Sequence, residues 1–284
     1  MSASTKLPAI VSGANRLHKK GITGKNITVA VMDSGLSPHP DISSDRILAF
    51  KDFISNKHYL YDDYSHGTHV TGIIASSKIG IAPECQIVNL KVLDNRGNGS
   101  TDTFIEGIKW ILENQEYFRI RIVNISIGGT NAELKREKNL LNLWVTKLWE
   151  SGITVCCSAG NMGPAPDSIT APGNCKKVIT VGSYDGKKFS SAGPLLPYIT
   201  KPELVAPGMN IISMKAGGGY SIKSGTSMSV PFISGACALL LQQKPYLTND
   251  QLKIRLMESA YPVPYLPYNR QGAGVVSLSR LLTP

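Results

Sequence analysis

Ile27-Thr28-Val29-Ala30-Val31-Met32 is an unbroken apolar, β-branched run that stops abruptly at Asp33-Ser34-Gly35. Six such residues without polar alternation predict a strand buried on both faces, the kind that a parallel sheet requires. A carboxylate at the carboxyl end of such a strand lies where open α/β sheets build their sites. Taken alone, Asp33 serves equally well as a turn residue.

Outward from this strand the pattern alternates. Strands are predicted at 27–32, 86–92, 121–127, 152–157 and 177–182, and helices at 66–76, 102–115, 132–150, 226–242 and 248–259. That alternation predicts an α/β fold, a mainly parallel central sheet with helices on both faces. The last helix opens on Thr248, a capping residue with Asp250-Gln251 in the first turn, and Leu252, Ile254, Leu256 and Met257 are its expected buried stripe. No linker, repeat or low-complexity tract interrupts the 284 residues, so residues 1–284 are expected to form a single domain.

Two further segments bear on Asp33. His66-Gly67-Thr68-His69-Val70 opens a predicted helix after the polar Asp62-Asp63-Tyr64-Ser65. Its two histidines lack both the spacing and the glutamate of a zinc-binding HExxH pattern, and His69 is expected to be a satisfied core residue. Gly225-Thr226-Ser227-Met228-Ser229-Val230-Pro231 precedes the apolar run Phe232–Leu241 and sets Ser227 at a helix N-terminus. A serine there is usually a cap, but the free N–H groups and helix dipole also suit an oxyanion. Asp33, His66 and Ser227 together supply an orienting carboxylate, a general base and a nucleophile. Serine needs an adjacent imidazole to take its proton, and the imidazole needs a carboxylate to hold its tautomer.

The blocks Val31–Gly35, His66–Gly72 and Gly225–Pro231, in this order, resemble the three signature blocks of the subtilisin-like serine proteases. The wording is nearest to the intracellular and AprX-like bacterial members, and the resemblance runs from about Gly21 to Leu282. It implies the three-layer subtilisin-like fold, a catalytic triad of Asp33, His66 and Ser227, and hydrolysis of peptide bonds through an acyl-enzyme. Ser158-Ala159-Gly160-Asn161 is a fourth match, which implies that the Asn161 amide points into an oxyanion hole. Val123–Gly129 resembles the strand that pairs with substrate, and Gly97–Thr101 the loop leading into the opposite edge. Gly99, Ser100, Ser126, Ile127, Gly128, Ser158, Ala159 and Gly160 are thereby the expected substrate-binding residues.

The chain also departs from the family pattern. Ser229 stands where an alanine is usual and Phe232 where a histidine is usual. Neither change removes a group that the chemistry needs. The segment from His66 to Pro83 is short, and the loop that binds calcium in many secreted members looks deleted. Asp41 matches one ligand of that site, but no metal or other cofactor is expected. The peptidase pattern begins almost at once, so residues 1–20 form only a short extension and no folding prodomain is expected. Activity would then have to be restrained by an inhibitor or regulator that the residues do not identify.

A net charge of +10, from 30 Lys and Arg against 20 Asp and Glu, raises the question of an acidic partner. The basic residues are scattered, apart from Lys19-Lys20 and Lys135–Lys138, and no zinc-finger, RNP or basic-zipper pattern occurs. The charge is expected to bias the protein toward acidic substrates or surfaces, with nucleic acid excluded as a partner. Five cysteines, with Cys156-Cys157 in a predicted core strand, predict reduced thiols in a cytoplasmic setting. No signal-peptide core and no membrane-spanning run is present.

Three functions compete for this pattern. Protein or peptide hydrolysis rests on the complete set of Asp33, His66, Asn161 and Ser227. A catalytically silent binding or scaffold protein of the same fold is the alternative. A phosphate loop at Gly217–Ser224 fails, because Ile222 and not glycine precedes Lys223. The resemblance implies a pocket walled by Ser126–Gly128 and Ser158–Gly160, with Met162 at its rim and Thr170 near its base. Those small walls predict a preference for large apolar residues before the cut. Asp62 and Asp63 are expected to add a weaker preference for a basic residue one position further upstream.

Overall fold

The computed structural model describes residues 5–128, 135–194 and 201–283. Gly129 and the first residues of the predicted 132–150 helix lie outside them. In chain order the elements are α1 (Pro8–Val11), α2 (Ala14–His18), β1 (Thr28–Asp33), β2 (Ile47–Asp52), α3 (His66–Ala75), β3 (Gln86–Lys91), α4 (Thr101–Phe118), β4 (Ile120–Ile125), α5 (Lys135–Glu150) and β5 (Thr154–Ser158). The chain continues with β6 (Ile179–Ser183), β7 (Leu204–Ala206), β8 (Ile211–Met214), β9 (Tyr220–Lys223), α6 (Thr226–Gln243), α7 (Asn249–Glu258), β10 (Ala260–Tyr261), α8 (Tyr268–Gln271), β11 (Val275–Val276) and α9 (Leu278–Leu281).

Nine strands form one sheet in the order β10-β11-β7-β6-β5-β4-β1-β3-β2, and β8 and β9 form a separate hairpin. Every pairing in the large sheet is parallel except β10 with β11. All six residues of β1 are buried, as are all five of β5 and of β6. Burial on both faces is what lets these strands be continuously apolar. One layer contains α3 and α6, which pack on each other and on the sheet; α4 and α5 pack on each other and on β1, β4 and β5.

The strand order fixes where a site can form. From β1 the chain first builds toward β3 and β2, then crosses back to add β4 on the other side. The order therefore reverses between β1 and β4, and the carboxyl ends at such a switch point leave a crevice. Asp33 ends β1, and Ser126 follows β4 directly.

Several elements escaped the sequence pattern. The half-buried edge strand β2 has no clean period, and β7, β10 and β11 are two or three residues long. The hairpin β8–β9 is turned by Gly217, Gly218 and Gly219, all at positive φ. The Thr248 capping box forms as expected, with Thr248 Oγ1 accepting from the Gln251 N–H and Gln251 Oε1 from the Thr248 N–H. Its expected stripe needs correction. Leu252 and Leu256 are buried, Met257 is half-buried, and Ile254 is exposed. Ile254 sits two residues from each buried leucine, about 200° around the helix, and so faces away from the core.

Candidate active site

Asp33 is fully buried at the end of β1, where its Oδ1 accepts the Ser34 N–H at 2.7 Å. The same oxygen lies 2.7 Å from His66 Nδ1. Since the carboxylate can only accept, Nδ1 carries the proton, which leaves Nε2 as the basic nitrogen. Burial pushes the His66 pKa down, but the charge of Asp33 and its hydrogen bond outweigh this, and the net shift is upward. Lys223 opposes that rise with its own positive charge.

His66 is the first residue of α3 and is aimed by the turn before it. Ser65 adopts a left-handed conformation at φ 63°, and Asp62 holds the loop through the N–H groups of Tyr64, Ser65 and Thr68 and the hydroxyls of Ser34 and Thr68. Gly67 is required here, because a Cβ would lie 2.3 Å from the Gly35 carbonyl oxygen. Asp63 pairs with Lys91, whose fully buried ammonium donates to Asp63 Oδ1 at 2.6 Å and to the carbonyls of Ser34 and Leu93. These contacts correct the expected role of Asp62, which is buried and satisfied within its own loop and so is not offered to a basic substrate residue. Asp63 stays exposed, with its Oδ1 paired to Lys91.

Ser227 is the second residue of α6, in the first turn, where backbone N–H groups have no intrahelical acceptor. Asn161 faces it across the cavity. The Asn161 Oδ1 accepts from both the Thr226 N–H at 3.0 Å and the Thr226 hydroxyl at 3.1 Å. Pinning the oxygen turns the NH₂ toward the cavity. Gly225, against the same amide, sits at φ 148°, a conformation that L side chains rarely adopt. His66, Asn161 and Ser227 all line one cavity of about 520 Å³. A hydroxyl, an imidazole oriented by a carboxylate, and neutral N–H donors around one cavity can carry out acyl transfer.

The Subtilase family model (peptidase S8) matches residues 24–276. The chain belongs to the subtilase family. It is 38% identical over 292 residues to serine protease AprX of Bacillus subtilis (strain 168), a match covering 90% of this chain and 66% of that protein. It is 36% identical to a subtilisin of Bacillus pumilus, over 87% of this chain and 88% of that protein. Among solved structures it is similar to a cold adapted subtilisin-like serine proteinase, with a TM-score of 0.77, 30% identity and 90% of each chain covered. The chain spans just under two thirds of the length of AprX, and 64% of the length of subtilisin E of Bacillus subtilis (strain 168).

Within this subtilase the expected substrate residues divide into surfaces and supports. Ser126, Ile127 and Gly128 line the cavity that holds His66, Asn161 and Ser227. A neighbouring cavity of about 370 Å³ shares Leu93, Gly97, Ile127 and Gly128 with it and adds Gly99, Ser100, Phe104 and Leu141. Ser100 also caps α4, accepting the Thr103 N–H at 3.0 Å. The hydroxyls of Ser126 and Ser158 are committed internally, to the carbonyls of Ser227 and Ile127. Ala159 is buried and bonds through its N–H to the Val181 carbonyl. The Thr170 hydroxyl lies between the walls, 3.0 Å from where a Cβ on either Gly128 or Gly160 would stand. Met162 is exposed, and it is not among the residues that line either cavity.

Residues that the sequence reading did not assign to the groove are Leu93, Phe104, Leu141, Tyr64 and Lys223. The first three come from separate elements, and only folding places them together. His69 is a core residue, as expected; burial pushes its pKa down to about 3, and Nε2 bonds the carbonyls of Ile211 and Ser221.

The calcium ligand implied by resemblance, Asp41, is buried in a different setting. Its Oδ2 accepts from the hydroxyls of Ser76 at 2.6 Å and Tyr220 at 2.8 Å. Its Oδ1 has no hydrogen bond among the described residues, and Lys78 Nζ stands 3.4 Å away. Calcium takes six to eight oxygen ligands. No group of three or more His, Cys, Asp or Glu able to hold a metal occurs among the described residues. One carboxylate shared with an ammonium does not fit calcium.

Proposed function

We propose that this chain is a serine endopeptidase. The observation that carries this reading is that His66, already bonded to Asp33 at 2.7 Å, shares one cavity with Ser227 and Asn161. In the first step His66 Nε2 takes the Ser227 proton as Oγ attacks the carbonyl carbon. The carbonyl becomes an oxyanion held by the Asn161 amide and the Ser227 N–H. The imidazolium, stabilised by Asp33, then gives its proton to the leaving amine and leaves an acyl-enzyme. Water repeats the sequence to release the acid.

The substrates are proteins or peptides. The small residues Ser126–Gly128 on the cavity wall favour a large apolar side chain before the cut, worth roughly 1.5–3 kcal/mol when buried. The adjoining cavity, with Leu93, Phe104 and Leu141, favours a second apolar residue further upstream. A bacterial origin is supported by relatives from Bacillus. A reducing, cytoplasmic setting is supported by five free, buried cysteines, of which burial holds Cys157 and Cys237 well above the usual thiol range. No calcium is assigned to Asp41, and a regulator of unknown identity would restrain the activity. Among the described residues, no helix is long and apolar enough to cross a membrane.

The test is incubation with unfolded casein, with and without a serine-directed phosphonyl fluoride. Cleavage that stops as the reagent labels Ser227 is expected. A protein that neither cleaves nor labels would be the silent scaffold of the same fold.

A further inference from the structure

Lys223 ends β9, four residues before Ser227, and is half-buried in the wall of the catalytic cavity. It is the one ammonium among the described residues that line that cavity, and it makes no ion pair or hydrogen bond with a described residue. Lys91, Lys201 and Lys253, all buried or half-buried, do have carboxylate partners: Lys91 holds Asp63, and Lys201 and Lys253 both hold Glu203. The carboxylates near the cavity are already engaged, Asp33 by His66 and Asp62 by its loop. A cation left unmatched in a substrate cleft selects for an anion.

Its position indicates which half of the substrate would bring one. The residues before the cut lie along Ser126–Gly128 and the cavity behind it, on the β4 side. Lys223 at the end of β9, Ser224 just after it and Met228 in α6 line the cavity from other elements. The leaving amine takes its proton from His66, so the leaving segment departs past the imidazole. Lys223 is close enough to His66 for its charge to oppose protonation there.

We propose that Lys223 is a specificity-determining residue that binds a carboxylate carried by the segment leaving after the cut. This rests on the peptidase reading above and adds a substrate class to it. The carboxylate is supplied either by an Asp or Glu side chain in the first two positions after the cut or by the free C-terminus of a short leaving segment.

The test uses peptides with one common apolar sequence before the cut and Glu, Gln or Lys at each of the two following positions. A second pair ends one residue after the cut as the free acid or the amide. Rates are compared for the wild type, Lys223→Gln and Lys223→Glu. For the wild type kcat/KM should favour Glu over Gln, or acid over amide, about three-fold, as a partly exposed ion pair allows. The preference should shrink in high salt. It should vanish in Lys223→Gln and turn toward Lys in Lys223→Glu. A side-chain source is lost on changing Glu to Gln, and a terminal source on amidation. The charged groups facing His66 are Asp33, Asp62 and Lys223, with neutral His69 one turn along α3. Removing the Lys223 charge should therefore also move the acid limb of kcat/KM to higher pH. Cleavage of the Gln peptide with no anion preference, or a preference that survives Lys223→Gln, overturns the proposal alone. Failure to cleave any peptide overturns the peptidase reading, and the proposal with it.

Discussion

The Ser126 hydroxyl donates to the backbone carbonyl of Ser227 at 2.9 Å, an acceptor available because Pro231 stands four residues on. In an uninterrupted helix the N–H of residue 231 would bond that carbonyl, and proline has none. The hydroxyl of Ser126 itself accepts from Asn124, whose Oδ1 accepts from Ser234. Strand β4 and helix α6 are thus bolted together at the level of the nucleophile. Ser126→Ala should cost about 1–2 kcal/mol in thermal unfolding by leaving that carbonyl unmatched. Adding Pro231→Ala, which restores an N–H, should recover part of the loss. Strictly additive losses in the double-mutant cycle would show that the two residues do not share the acceptor.

Ser227→Ala and His66→Ala should each lower kcat by on the order of 10⁶, and the double variant should lose little more than either. Asp33→Ala should retain about 10²-fold more activity than these. Rates from stopped peptide assays decide it, and additive losses would deny that serine and histidine act as a unit.

Asn161→Leu should reduce kcat about 10²–10³-fold with KM nearly unchanged, because the amide meets charge that exists only in the transition state. Thr226→Val removes one of the two bonds that hold the Asn161 oxygen and should cost about ten-fold in kcat. A change in KM alone, in either variant, would place these groups in ground-state binding.

The raised pKa of His66 sets the pH dependence. Activity requires the neutral imidazole, so kcat/KM should rise with pH through one ionisation above the ordinary histidine value. Asp33→Asn should lower that ionisation. The stability part has the opposite sense. The protonated His66–Asp33 pair stabilises the fold fully below the ordinary histidine pKa, and that contribution fades as pH rises through the raised value. A flat rate from pH 5 to 9 would exclude an imidazole base.

Chelation with EDTA should leave both activity and melting temperature unchanged, because the Asp41 donor set is unsuited to calcium. Asp41→Ala should destabilise by about 2–4 kcal/mol, since Ser76 and Tyr220 lose a buried charged acceptor. Burial raises the Asp41 pKa, but these hydrogen bonds, together with His39 and Lys78, bring the net shift below the ordinary value. Its stabilisation is therefore present above the ordinary carboxylate pKa and lost as pH falls through the lowered one. A melting temperature that drops in EDTA and returns with calcium would reveal a site elsewhere.

Local chemistry made much of this protein legible from its residues. The run Ile27–Met32 can be buried on both faces only in a covered sheet, and the Asp33 that ends it is placed by the strand itself. The order of Asp33, His66, Asn161 and Ser227, each next to a strand end or helix start, carried the site, because those termini lie at one edge of a parallel sheet. Asp62 was misread as a substrate contact. Its charge is visible in the sequence, but the N–H groups and hydroxyls that consume it are gathered only when its loop folds against Ser34 and the start of α3. Ile254 was misplaced because four apolar residues in six cannot all face one side of a helix, and packing selects among them. Leu93, Phe104, Leu141 and Lys223 carried no local signal at all. A groove is a property of elements distant in sequence and adjacent in space, so the chain determined its chemistry residue by residue, while the tertiary structure decided which substrate surfaces that chemistry would meet.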